Sequence, residues 1–202
     1  MNATPDAHAP HAPADALLVV DVQNDFLPGG RLAVPAGDAV VAPLNAWLRT
    51  FAARGCVTAA SRDWHPADHC SFASRGGPWP VHCVAGSTGA AFAPGLELPP
   101  RCLIIDKGTS PGTEAYSAFS GTALAGRLAA SGVRRLWVGG LATDYCVAAT
   151  ARDALQHGLA VVVLTDAVRA VDVAPGDGAR ALAALAAAGA TLRGGGPPEQ
   201  TP

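Results

Sequence analysis

Charge of one sign, aromatic side chains and paired cysteine motifs are all scarce in this chain of 202 residues. Charged residues make up 15% and nearly cancel, leaving a formal net charge of −2. Neither a surface for a nucleic-acid backbone nor one for an anionic membrane is therefore expected. Residues 1–15 hold Ala, Pro, His and Asp without an apolar run, which argues against a secretory leader or a membrane span. The five cysteines, Cys56, Cys70, Cys83, Cys102 and Cys146, form an odd set with no CxxC spacing. A reduced, cytoplasmic protein is the expectation. Proline and the lack of apolar bulk predict disordered tails over 1–15 and 194–202, flanking one domain at 16–193. His8 and His11 fall in the first tail, where no scaffold would hold them as a metal pair. Aromatics are only 5%, so the positions of Trp64 and Trp79 carry information.

What is present is an alternation. Ala16–Val20 is an unbroken apolar run, as expected of a strand buried on both faces. Val40, Val41, Leu44, Trp47, Leu48 and Phe51 give residues 38–54 a helical spacing that stops at Gly55. Strand-like runs follow at 56–60, 101–106, 133–138, 159–164 and 191–192, with helical stretches at 118–130, 144–157 and 178–188. Four times a helix closes on a glycine and a strand starts at once, at Gly55, Gly132, Gly158 and Gly189. This pattern predicts an α/β fold, a three-layer α/β/α sandwich on a mainly parallel, doubly wound sheet of about six strands. The stretch 61–100, rich in Pro, Gly, His and Trp, breaks the rhythm, and loops of that length are usually functional.

In such folds ligands bind outside the carboxyl ends of the strands. Polar residues interrupt the apolar runs there, at Asp21, Asp63, Lys107 and the turn 143–146. Gly139–Cys146 reads as a strand that breaks at two glycines and enters a helix, whose free N–H groups and dipole favour a thiolate at Cys146. A small buried filler is the alternative for that cysteine. Asp21 suits a base or a turn residue, and Lys107 a cation or a solvated strand end. Taken together they supply the base and the positive charge that a nucleophilic thiol needs. Backbone N–H groups at Ala142 and Cys146 are placed to serve as an oxyanion hole. A second constellation, Asp63, His65, His69 and His82 in the 61–100 region, offers the ligand types of zinc and similar divalent metals. His69 is the weakest member of the set, since hydrogen-bonded support of another ligand would also explain it. Asp144 and Asp166 read as a helix-start residue and a strand-end turn residue, and Asp68 as solvated.

Five segments in order resemble the nicotinamidase/pyrazinamidase branch of the isochorismatase-like cysteine hydrolases. They are Asp21-Val22-Gln23-Asn24-Asp25-Phe26, Arg62-Asp63-Trp64-His65-Pro66, Gly77–Val84, Lys107-Gly108 and Gly140–Val147. The likeness spans about residues 16–192. It implies a catalytic triad of Asp21, Lys107 and Cys146, and a metal held by Asp63, His65 and His82. His69 looks like the further ligand that some members use, although its spacing after His65 differs from theirs. The resemblance also implies a cis peptide between Leu141 and Ala142, and a pocket wall of Phe26, Trp79 and Tyr116 beside Leu141. The implied reaction is metal-dependent deamidation of nicotinamide to nicotinate through a thioester, in NAD salvage, with pyrazinamide-like analogues also accepted. Zn²⁺ is the expected metal, with Fe²⁺ or Mn²⁺ as alternatives, and the substrate is the expected partner. Monomer and homo-oligomer both stay open. Competing readings are an N-carbamoyl amidohydrolase or isochorismatase-type hydrolase of the same superfamily, and a non-catalytic metal-binding protein on the same fold.

Overall fold

Every residue of strand β1 (Asp15–Val20) is buried, and its side chains alternate between two cores. Ala16, Leu18 and Val20 point into one, and Leu17 and Val19 into the other. That is the period-two geometry of a strand covered on both faces. The structure, a computed structural model, describes residues 14–198. Of the tails expected at 1–15 and 194–202, residues 1–13, with His8 and His11, and 199–202 lie outside the described residues. β1 begins at Asp15, one residue before the expected domain start, and Asp15 pairs with Arg135 through 2.6 and 2.8 Å hydrogen bonds.

Five more strands follow: β2 (Val57–Asp63), β3 (Leu103–Lys107), β4 (Arg135–Leu141), β5 (Ala160–Arg169) and β6 (Thr191–Arg193). They form one sheet in the order β3-β2-β1-β4-β5-β6, with every described pairing parallel. Helix α1 (Val41–Ala53) covers one face. Its Leu44, Trp47, Leu48 and Phe51 pack with Leu17, Val19 and Trp137. Helices α2 (Leu124–Ala130), α3 (Ala148–Gln156) and α4 (Asp177–Ala187) cover the other, against Leu18, Leu136, Val138 and Val163. Burying each large apolar side chain in these layers contributes about 1.5–3 kcal/mol. The expected three-layer architecture is therefore what forms, and the strand order reverses between β1 and β4. That reversal opens a crevice at the carboxyl ends of the two strands. Among the described residues, no helix is long and apolar enough to cross a membrane.

Several boundaries differ from the sequence pattern, each for a local reason. The helix expected over 118–130 starts only at Leu124. Side-chain hydroxyls take over the backbone before it: Thr122 Oγ1 donates to Ala118 O (2.6 Å), and Thr150 Oγ1 accepts from Ala118 N (3.0 Å). Hydroxyls that bond nearby backbone in this way compete with helix. The stretch 144–157 is a π-helical turn, Thr143–Val147, followed by α3. β5 runs on to Arg169, so Asp166 lies inside the strand rather than at its end, where its Oδ2 accepts from Gly196 N at 2.9 Å.

Candidate active site

Parallel register places the functional side chains before any of them touch. Asp63 and Lys107 face each other as the last paired residues of β2 and β3. Ser61, two positions before Asp63 and hence on the same side of the strand, is opposite Val20 at the end of β1. Asp21 follows with a left-handed φ of 49° and is fully buried. Its Oδ1 accepts from Ser61 Oγ at 2.7 Å. Across the crevice, one residue before the end of β4, a Cβ on Gly140 would collide with the Val20 carbonyl oxygen. Only glycine lets the two strand ends approach this closely, and this approach brings the turn carrying Cys146 over Asp21. The Leu141–Ala142 peptide between them is cis.

Lys107 is the hub. Only 1% exposed, its Nζ lies 2.5 Å from Asp63 Oδ1, 3.0 Å from Asp21 Oδ2, 3.0 Å from Ala115 O and 3.5 Å from Cys146 Sγ. Burial works against its charge, but the two carboxylates outweigh burial and hold its pKa well above the usual lysine value. Asp21, Asp63 and Cys146 come within 4.8 Å of one another by their ligand atoms. Burial pushes the Cys146 thiol well above its ordinary pKa; the Lys107 ammonium works against that rise, and Asp21 and Asp63 add to it. This corrects the expectation of a thiolate favoured by the helix start. Full burial beside two anions leaves a resting thiol, and a proton acceptor must take its hydrogen. A carboxylate oxygen suited to that is Asp21 Oδ2, which faces Lys107 as an ion pair at 3.0 Å and lies in the same cluster as the thiol.

The second cluster shares Asp63. Its Oδ2 lies 3.5 Å from His65 Nε2 and 4.0 Å from His82 Nε2, and the three ligand atoms fall within 4.8 Å of one another. The other ring nitrogens are spoken for: His65 Nδ1–H donates to Gly108 O (2.9 Å) and His82 Nδ1–H to Pro80 O (2.8 Å). Those bonds hold a proton on each Nδ1 and turn both Nε2 atoms toward Asp63, as ligands for a cation or, at His65 without one, as a proton carrier facing the carboxylate. A Cβ at Gly108 would run into the His65 ring, so glycine is required after Lys107. The loop after β2 closes on itself to deliver the second histidine, as His65 N donates to Cys83 O (3.0 Å) and Ala85 N to His65 O (2.8 Å). Asp25 Oδ2 accepts from Cys83 N at 2.7 Å and secures the chain next to His82.

This donor set fits a divalent cation. One carboxylate and two imidazole nitrogens are borderline ligands of the zinc type. Two buried carboxylates against one ammonium also leave a negative charge that a cation would compensate. His69 is not brought into the set, contrary to its place among the expected ligands. Its Nε2–H donates to Thr113 O (3.1 Å), and its Nδ1 accepts from Ser71 Oγ at 2.7 Å. The ring stacks on His65 at 4.0 Å between centroids, which makes it a support behind that imidazole. Asp144 also departs from its expected role. It does not cap a helix start, and instead accepts from Val171 N (3.0 Å) and Asp172 N (2.9 Å), tying the loop after β5 to the turn that carries Cys146.

Both clusters open into one cavity, lined by Asp63, His65, His82, Lys107, Ala142 and Cys146 on its polar side. Phe26, Trp79, Tyr116 and Leu141, the wall that the family resemblance implied, line its apolar side. Tyr145, Leu32, Val34 and Val171 complete that wall without having been anticipated. Trp79 Nε1 donates to Tyr116 Oη (2.9 Å), and its ring meets Tyr145 edge-on at 5.1 Å.

An Isochorismatase domain model matches residues 15–194. The chain belongs to the isochorismatase family. A nicotinamidase of Escherichia coli is 43% identical to this family member over 201 aligned positions, covering 89% of this chain and 94% of the relative. The pyrazinamidase of Pyrococcus horikoshii, solved in complex with zinc, superposes with a TM-score of 0.87 at 48% identity, over 91% of this chain and all of that one. A protein of L. infantum, solved in complex with nicotinate, gives a TM-score of 0.85 at 40% identity, over 92% of this chain and 95% of that one.

Proposed function

We propose that this isochorismatase-family protein is a metal-dependent amidohydrolase that deamidates nicotinamide to nicotinate and ammonia, as a step of pyridine-nucleotide salvage. The observation that carries this reading is the position of Lys107 Nζ, in contact with Asp21, Asp63 and Cys146 at once. It joins a nucleophile and its base to a three-ligand metal cluster inside one small aromatic-walled cavity. The nicotinamidase and pyrazinamidase relatives support the substrate class.

Asp21 takes the Cys146 proton as the sulfur attacks the carboxamide carbon, and the Lys107 ammonium stabilises the thiolate as it forms. Backbone N–H groups of Ala142 and Cys146 receive the developing oxyanion. Asp21 then returns its proton to the departing nitrogen, ammonia leaves, and a thioester to Cys146 remains. Water, deprotonated by Asp21, attacks the thioester and frees the acid and the thiol. Asp63, His65 and His82 would hold a divalent cation, which would supply Lewis acidity for a substrate that carries a ring nitrogen. Phe26, Trp79 and Tyr116 enclose the flat ring, and a pyrazine carboxamide of the same shape is accepted as well. An N-carbamoyl amide would meet the same thiol, but it has no aromatic nitrogen to use the Asp63–His65–His82 cluster. Zinc-loaded wild type should release ammonia from nicotinamide, and Cys146→Ala should fall to background. Equal release by both proteins, or none from folded, zinc-loaded wild type, would reject the assignment.

A further inference from the structure

Gln23 is fully buried between the base and the metal cluster, and the chemistry above does not use it. The β1–β2 ladder ends at Val20 and Ser61. Beyond it the left-handed turn at Asp21 carries the chain out of the sheet, so β1 offers Asp63 no backbone partner. The Gln23 carboxamide takes that place. Its Oε1 accepts from Asp63 N at 2.8 Å, and its Nε2 donates to Asp63 O at 2.8 Å and to Ala90 O at 2.9 Å. Both amide hydrogens are thereby used, and their carbonyl partners fix which way the amide faces. The Gln23 main-chain N–H also donates to Asp21 O at 2.9 Å. One residue therefore grips the backbone on either side of the Asp63 side chain and ties it to the strand end that carries the base.

We propose that Gln23 is a positioning residue: its amide sets the Asp63 carboxylate in place for a divalent cation and for Lys107 together, without touching the ion. The proposal rests on the Asp63–His65–His82 cluster being a metal site. A ligand displaced by a fraction of an ångström fits neither the two Nε2 atoms nor the ammonium, and loss of such outer support typically costs about 10–100-fold in metal affinity.

Cobalt(II) is the probe, added to metal-free protein, with affinity read by competition against a chelator and coordination read by visible absorption. Gln23→Met keeps the length and bulk of the side chain but removes all three hydrogen bonds. Its cobalt affinity should fall about 10–100-fold with an altered absorption band. Gln23→Glu keeps the acceptor for Asp63 N–H and loses the donors, and should fall between the two. A purely structural role would lower the melting temperature and leave both cobalt readouts of the folded protein alone. Folded Gln23→Met with cobalt affinity within about twofold of wild type and an unchanged band overturns the proposal. Should Gln23→Met fail to fold, wild-type cobalt affinity in Gln23→Glu does the same. Wild type that takes up no cobalt refutes the metal cluster itself, and the proposal with it.

Discussion

Asp21 directly follows β1 and Asp63 ends the neighbouring parallel strand β2; both are buried and both face the same ammonium, yet their proton affinities move in opposite directions. Burial alone would raise the pKa of either carboxyl group. At Asp63 it is overcome, because Lys107 lies 2.5 Å away and the His65 imidazole faces the other oxygen. Those partners hold Asp63 well below the usual carboxylate range. At Asp21 burial prevails over the ammonium at 3.0 Å, the Asp63 anion adds to it, and the pKa is raised. The difference lies in what surrounds each group, not in depth or residue type. Asp63 is held as a permanent anion, which suits a metal ligand. Asp21 is held ready to accept a proton, which suits a base. Environments that push two like groups apart commonly separate such roles.

Replacing each carboxylate with its amide is the hardest test of this separation. Asp21→Asn should lower kcat for ammonia release about 10²–10⁴-fold, the range for a lost general base, while zinc content stays at the wild-type level. Asp63→Asn should lose the zinc as well as the activity, because an amide oxygen is a poor substitute for the anionic ligand. Zinc lost from Asp21→Asn and retained by Asp63→Asn would reverse the two roles.

A smaller effect sharpens the same contrast through stability, followed by urea unfolding of metal-free protein across a pH series. The Asp63 pKa is depressed by folding, so its stabilisation is fully present above the unfolded carboxylate value of about 3.9 and is lost as pH falls through the lower folded value. The deficit of Asp63→Asn relative to wild type should therefore shrink on acidification below about pH 4. The Asp21 pKa is raised, so its contribution is present below about 3.9 and is lost as pH rises through the higher folded value. Asp21→Asn should accordingly gain on wild type as pH rises. Each tenfold difference in proton affinity between folded and unfolded states is worth about 1.4 kcal/mol. Parallel pH profiles for the two variants would show that the environments do not differ.

Much of this site could be read from the chain because polar residues stop apolar runs at strand ends. Asp21, Asp63 and Lys107 announce themselves that way, and the alternation of runs places their strands side by side. Helix-closing glycines such as Gly55 and Gly158 mark their boundaries correctly, with φ of 65° and 77°. What stayed hidden depends on partners far along the chain. Gln23 acts through Asp63, 40 residues away, and Asp144 through Val171, 27 residues away. His69 has the residue type and neighbourhood of a ligand, and only its bonds to Thr113 and Ser71 show that both ring nitrogens are occupied. The resting thiol at Cys146 was hidden for a different reason. Its position at a helix start is local, whereas the burial that raises its pKa and the two anions that add to it come from other parts of the chain.

The aromatic wall provides the smallest test. It borders the cavity but bonds to neither carboxylate. Trp79 Nε1 donates to Tyr116 Oη at 2.9 Å, and this bond braces the two rings against each other. Trp79→Phe keeps an apolar ring and removes the donor, at a cost of about 0.5–1.5 kcal/mol, the usual net worth of such a bond. If the wall serves only to hold the substrate ring, that cost falls equally on ground state and transition state. KM for nicotinamide then rises roughly two- to tenfold, while kcat and zinc content are unchanged. Steady-state ammonia release and metal analysis of the same preparation read all three quantities. A fall in kcat or in zinc content would mean that the wall also governs Asp21 or Asp63, and the opposed settings of the two carboxylates would no longer be explained by their own immediate partners.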